Sequence, residues 1–166
     1  MRTLLLALLL SPLCTYAAEA TPEAAVSALW RALSHDAGVS ADLPALTRLF
    51  HADAVVFGGY YRQGEPQLRR TAGADFLQAN ARIGSKGFYE CEVARQLHRY
   101  DRFAVAYSVV ESRSDQAASQ PDFVGVNSIQ LQQVGEQWQV LSLHYQVEKP
   151  GLPIPLGGGR SGRCLD

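Results

Sequence analysis

The sequence is poor in the features that usually announce an activity. Of 166 residues, three are cysteine, one is methionine and four are histidine. Fifteen Lys and Arg against sixteen Asp and Glu leave a formal net charge of −1. A chain this neutral lacks the basic footprint that a phosphate backbone requires, so nucleic acid is not an expected partner. No run of about 18 apolar residues occurs, so no membrane-spanning helix is expected. HExxH and CxxC are missing, and His35, His51, His98 and His144 share no ligand spacing, so neither a metal nor a cofactor is expected. Neither GxGxxG nor a Walker loop is present to cradle phosphates, and no G-x-S-x-G elbow is present to carry a nucleophilic serine.

What is there is 47% hydrophobic, enough for one folded domain with a real core. Residues 1–20 read as an address rather than as fold. Arg2 supplies a basic start, Leu4 to Leu10 is an unbroken apolar run, Pro12 breaks it, and Ala18-Glu19-Ala20 offers a small-residue cleavage site. This is the layout of a secretory signal peptide, with cleavage expected after Ala20 and a periplasmic or secreted destination. A lipoprotein reading centred on Cys14 is opposed by Pro12 and Leu13, where small residues are needed. In an oxidising compartment Cys91 and Cys164 can make one intramolecular disulfide, which would fasten the Pro- and Gly-rich tail at 150–166 to the body. Two free thiols or an intermolecular bond are the alternatives.

The mature chain, 21–149, reads as α+β. Thr21-Pro22 opens a helix with Val26, Leu29, Trp30 and Leu33 on one face. Asp42 caps a shorter second helix. Ala54 to Phe57 reads as a strand that Gly58-Gly59 stops, Tyr60 to Arg70 as a polar loop, and Thr71 as the cap of a third helix ended by Gly84. From Phe88 the period changes to two, with turns at Asp101-Arg102 and Gly135-Glu136 separating long antiparallel strands. The first of these sets Tyr89, Cys91, Val93 and Leu97 against a wet Glu90, Glu92, Gln96 and His98. Glu111 and Arg113 read as a solvated pair.

Two strands lack the alternation of a sheet with one wet face. In Phe103 to Val110 neither alternate set is charged, and in Trp138 to Val147 both sets are largely apolar. Helices can cover only one face. A second copy of the chain is the simplest cover for the other, so a homodimer is expected.

The order of elements, with Leu49-Phe50-His51-Ala52-Asp53-Ala54-Val55-Val56 after the second helix and Gly135-Glu136-Gln137-Trp138-Gln139-Val140 opening the last strand, resembles the nuclear transport factor 2-like (NTF2-like) superfamily, also called SnoaL-like or ketosteroid-isomerase-like. The resemblance spans about Thr21 to Glu148. It implies a cone-shaped fold, three N-terminal helices packed on a curved sheet around one apolar pocket, with dimerisation through the outer face of the sheet in many members. Its steroid isomerases would place a carboxylate base where this chain has Gly58, a tyrosine where it has Leu29 or Trp30, and a second acid where it has Asn127. Asparagine donates hydrogen bonds but abstracts no proton, so ketosteroid isomerase chemistry is not expected here.

The family's register implies that Val140, Ser142 and His144 point into the cone beside Asn127, with Trp30, Phe57 and Tyr60 around the pocket. A reversed register would instead turn Leu141, Leu143 and Tyr145 inward, because a one-residue slip exchanges faces. Three readings follow. The pocket binds a small apolar or aromatic molecule, oriented by Asn127 and His144. Alternatively, the chain is an isomerase, dehydratase or cyclase with His144 as acid/base. In the third reading it is a non-catalytic association module of the cell envelope.

Overall fold

The computed structural model describes residues 19–165; most of the signal-peptide reading, Cys14 included, lies outside them. Helix α1 is Pro22–Leu33, where Ala24 N–H donates to the Thr21 hydroxyl at 3.1 Å and Pro22 occupies the first turn. It buries Val26, Leu29, Trp30 and Leu33. Helix α2, Leu43–Leu49, is capped by Asp42, which accepts from Ala45 N–H at 3.0 Å, and it buries Leu46 and Leu49. Strands β1 (Phe50–Arg62) and β2 (Glu65–Ala72) form a hairpin, followed by α3 (Gly73–Asn80). The long strands are β3 (Tyr89–Tyr100), β4 (Phe103–Arg113), β5 (Phe123–Val134) and β6 (Gln137–Val147). The six form one sheet in the order β2-β1-β6-β5-β4-β3, antiparallel throughout except for the parallel pair β1 and β6.

Three sequence expectations are corrected here. Gly58-Gly59 does not stop β1, which runs on to Arg62. The expected polar loop is strand β2, whose side chains are nearly all exposed, so no apolar pattern betrays it. Gln63 and Gly64, at φ 53° and 84°, supply the left-handed pair that a two-residue hairpin turn needs. The helices therefore do not all precede the sheet: α3 follows the hairpin, starts after Ala72 rather than at a Thr71 cap, and ends at Asn80.

Two bulges decide which side chains face the helices. In β6, Leu131 pairs with Val140 but Gln130 pairs with Ser142, which leaves Leu141 as an extra residue. In β3, Val110 pairs with Glu92 and Val109 with Ala94, which leaves Val93 extra. Beyond each bulge the alternation reverses parity. Glu90, Glu92, Arg95 and Leu97 consequently lie on the helix side, whereas Cys91, Val93 and Ala94 face outward. The wet set expected in β3 is thus partly internal. Glu92 is 3% exposed, bonded to Ser108 and paired with Arg95, whose guanidinium also donates to Ser27 and to the Glu23 carbonyl on α1.

The outer face is covered in part by the chain itself. Ile154 and Leu156 of the tail join Val124 and Val126 in packing against Cys91, Val93 and Val109. Gly159 lies so close to the Val93 carbonyl that a Cβ there would overlap backbone, and Gly157 and Gly158 take φ of 60° and 90°. The glycine run is therefore a close-approach segment. Farther on, Leu165 N–H donates to the Glu92 carbonyl, and Cys164 lies at disulfide distance from Cys91 with Cα atoms 4.9 Å apart. The tail also seals Glu111 and Arg113, which are 1% and 7% exposed and joined at 2.8 Å, so the solvated-pair expectation is overturned. Burial pushes the Glu111 carboxyl up, but hydrogen bonds from Ser161, Arg113 and Gly162 outweigh it and hold the group below the usual carboxylate range.

A cross-link over a sequence separation of 73 contributes about 4 kcal/mol in the chain-entropy model. Reduction, or Cys164→Ser, is expected to lower stability by about 2–4 kcal/mol in urea unfolding and to expose the tail to limited proteolysis. A midpoint indifferent to reductant would show that the packing of Ile154 and Leu156 holds the tail unaided.

Candidate functional site

The inward strand faces do not close completely on the helices. A cavity of about 240 Å3 remains between them. Helix α1 supplies Trp30 and Leu33, and α3 supplies Phe76 and Asn80. Phe88 lies just before β3 and Glu90 at its start, Val110 and Ser112 come from β4, Phe123, Gly125 and Asn127 from β5, and Leu143, Tyr145 and Val147 from β6. The wall is largely aromatic and aliphatic, with a few polar groups spaced around it. That is the general build of a small-molecule site, at a volume below the ~300–1,000 Å3 of pockets for drug-sized ligands.

Among the described residues, Glu90 is the only carboxylate in this wall. Its backbone N–H donates to the Ser34 hydroxyl at 2.9 Å, which fixes the start of β3 against the end of α1. Its side-chain Oε2 accepts from the Ser112 hydroxyl at 3.0 Å. Among the described residues no Lys or Arg makes an ion pair with it. Burial raises the Glu90 carboxyl from 4.5 to about 7, against a smaller lowering by the Ser112 hydrogen bond. The group is thus poised between its protonated and charged forms near neutrality.

Tyr145 stands across the same cavity. Burial pushes its phenol up, Arg69 opposes that and Tyr60 adds to it, so it is a neutral hydrogen-bonding group. Its ring fills the space that a side chain at position 58 would occupy. Any side chain at position 58 would displace Tyr145.

The residues singled out from the sequence separate into groups. Trp30 and Asn127 border the cavity; Asn127 is 5% exposed and its amide donates to the Ser108 carbonyl at 3.5 Å. Val140 faces inward but is sealed in the core rather than in the cavity wall. Ser142 and His144, expected to point inward, lie on the outer face. Ser142 donates to Gln130 there at 3.1 Å, and the His144 ring sits 6.0 Å from that of Phe57. The cause is the Leu141 bulge, which gives Val140 and Ser142 opposite faces although they share parity. Phe57 pairs with His144 on the same outer side, and Tyr60, 38% exposed, is not part of the cavity wall. The reading from sequence missed Glu90 and Ser112, and it turned Leu143 and Tyr145 inward only in its reversed-register alternative. For Glu90 the sequence carries no local signal, since Glu92 two residues on repeats its residue type in the same alternate set.

No family model matches the sequence, and no curated protein matches it. Solved structures do match in fold. A protein from Parabacteroides distasonis ATCC 8503, provisionally named a ketosteroid isomerase, shares 16% identity at a TM-score of 0.52, over 78% of this chain and 89% of that one. A protein from Novosphingobium aromaticivorans, provisionally named an aromatic ring hydroxylase, shares 12% identity at a TM-score of 0.51, over 75% and 85% of the two chains. An NTF2-like protein of unknown function from Pseudomonas putida KT2440 shares 16% identity at a TM-score of 0.50, over 75% and 82%. At these identities the likeness concerns architecture alone, and it agrees with the topology described above: this chain has the α+β NTF2-like fold, with three helices and a six-stranded mixed sheet.

Proposed function

We propose that the protein is an exported NTF2-like domain whose cavity binds a small apolar or aromatic molecule. The observation that carries this reading is the cavity of about 240 Å3, walled by Trp30, Phe76, Phe88, Phe123 and Leu143 and furnished with Asn127, Ser112 and Glu90 as orienting groups. Burial of a single-ring ligand, at about 25 cal/mol per Å2 of apolar surface, favours its entry without special chemistry. The disulfide-distance cysteines and the lack of any helix among the described residues long and apolar enough to cross a membrane are compatible with an extracytoplasmic home. A reaction at this site would rely on Glu90 for proton transfer, since His144 is on the far face of the sheet.

The expected homodimer remains part of the proposal in narrower form. The tail covers the outer apolar patch around Val109 and Val126, but Phe103 and Tyr107 on the same face of β4 stay 46% and 50% exposed. A second copy would seat on that remainder.

Three outcomes are expected. Small aromatics such as phenol should quench the fluorescence of Trp30 and protect the protein thermally. Gly125→Leu, which projects a side chain into the cavity from β5, should abolish both effects; equal responses in the two proteins would place binding elsewhere. Sedimentation at micromolar concentration should give a dimer mass that Tyr107→Arg converts to monomer, and a monomer in both would remove the second copy. The third outcome follows from Glu90. Between pH 4.5 and about 7 the unfolded chain is ionised at this position while the folded one still holds the proton, so stability declines as pH rises through that window and levels off above it. Glu90→Gln should escape this loss, on the order of 2–3 kcal/mol, and pH-resolved urea unfolding of both proteins measures it. Parallel profiles would show that the carboxyl titrates normally.

A further inference from the structure

Among the described residues, the cavity wall contains one acid and no base. Lys, Arg and His are all missing from the described residues that border it, and Glu90 meets it with a carboxyl bonded to Ser112 but to no cation among them. A carboxylate half-withdrawn from water without a counter-charge is costly, and here the described residues supply none. The charged groups on the elements around it are committed or remote. Arg113 on β4 borders another hollow together with Glu90, but its guanidinium is committed to Glu111 and to the Ala118 carbonyl. Glu92, on β3 with Glu90, is held by Arg95 and Ser108. Arg31 on α1 is exposed and borders only the adjoining hollow, which Glu90 and Glu92 also line. His35, beyond α1, bonds the Asp36 carbonyl through Nδ1, and Asp36 accepts from the Tyr89 hydroxyl. Tyr145 on β6 faces the cavity as a neutral phenol. The missing counter-charge has therefore to arrive with a ligand.

The rest of the wall suits such a ligand. Trp30, Phe76, Phe88, Phe123 and Tyr145 surround the cavity, and aromatic faces attract cations as well as burying apolar surface. An anionic ligand would meet Glu90 and no cation. We propose that the natural ligand of this cavity is a small hydrophobic amine, its ammonium group against Glu90 and Ser112 and its apolar body against the aromatic wall. This rests on the cavity being a binding site, as proposed above, and adds the chemical class of the occupant. The affinity then depends on pH in a definite direction: the amine is charged throughout the neutral range, whereas Glu90 gains charge as pH rises, so binding strengthens from pH 5 to pH 8.

The test uses the full mature chain and two matched probes, 2-phenylethylamine and 2-phenylethanol, which differ in ammonium against hydroxyl. In calorimetric titration at pH 8 the amine should bind at least tenfold more tightly than the alcohol. That preference should vanish at pH 5, and it should vanish at pH 8 in Glu90→Gln, while the alcohol binds that variant as well as it binds the parent. The pH series on the unmodified protein answers the question even where the variant is poorly folded. Equal affinity for the two probes at pH 8 would overturn the amine inference and leave the pocket standing. Failure of both probes to bind would overturn the pocket reading and the inference together.

Discussion

The central sheet presents apolar side chains on both faces, and each face has to be kept from water. On the inner side α1 and α3 cover Val110, Ile129 and Leu143. On the outer side the tail covers Val93 and Val109. Burial of apolar surface on two sides is the main stabilising contribution available to a chain of this size, and much of the remaining architecture serves it. The glycines at 157–159 let the tail run close along β3, the Cys91–Cys164 pair pins its end, and the buried Glu111–Arg113 pair lies under it with its hydrogen bonds completed by Ser161 and Gly162.

Much of this was legible in the sequence, for physical reasons that differ by element. Helix α1 declared itself through Thr21-Pro22 and a clean 3.6-residue apolar period, because capping and amphipathicity are local properties. The two-sided apolar character of β4 was legible for the same reason. What covered the outer face was not, since a Pro- and Gly-rich tail carries no periodicity to show where it docks. Strand β2 was invisible because its contribution is backbone pairing to β1, with side chains left in solvent.

The site was the least legible part, and the fault lies in two single residues. Counting by twos along β6 from the buried Val140 turns Ser142 and His144 inward, whereas the extra Leu141 turns Leu143 and Tyr145 inward instead. Counting by twos along β3 from Cys91 assigns Glu90 to solvent, although the outward side of that strand is itself packed by the tail. A bulge adds one residue and leaves composition and period nearly unchanged, so a single sequence gives little sign of it. The candidate acid consequently moved from His144 to Glu90.

That exchange alters the chemistry open to the cone. An imidazole in an apolar wall can be neutral at little cost and would leave the cavity indifferent to charge. A carboxyl raised to about 7 by burial is different, because it opposes its own ionisation at the pH where most carboxylates are charged. Ser112 offsets part of that opposition with one hydrogen bond, and no cation among the described residues offsets the rest. The energy withheld from the empty cavity becomes available to any occupant that brings positive charge, and is refused to one that brings none. Selectivity in such a site comes from the cost of leaving Glu90 unpaired rather than from a large number of contacts. The same reasoning explains why the walls can stay almost wholly apolar: one poorly solvated acid is enough to distinguish occupants of equal size.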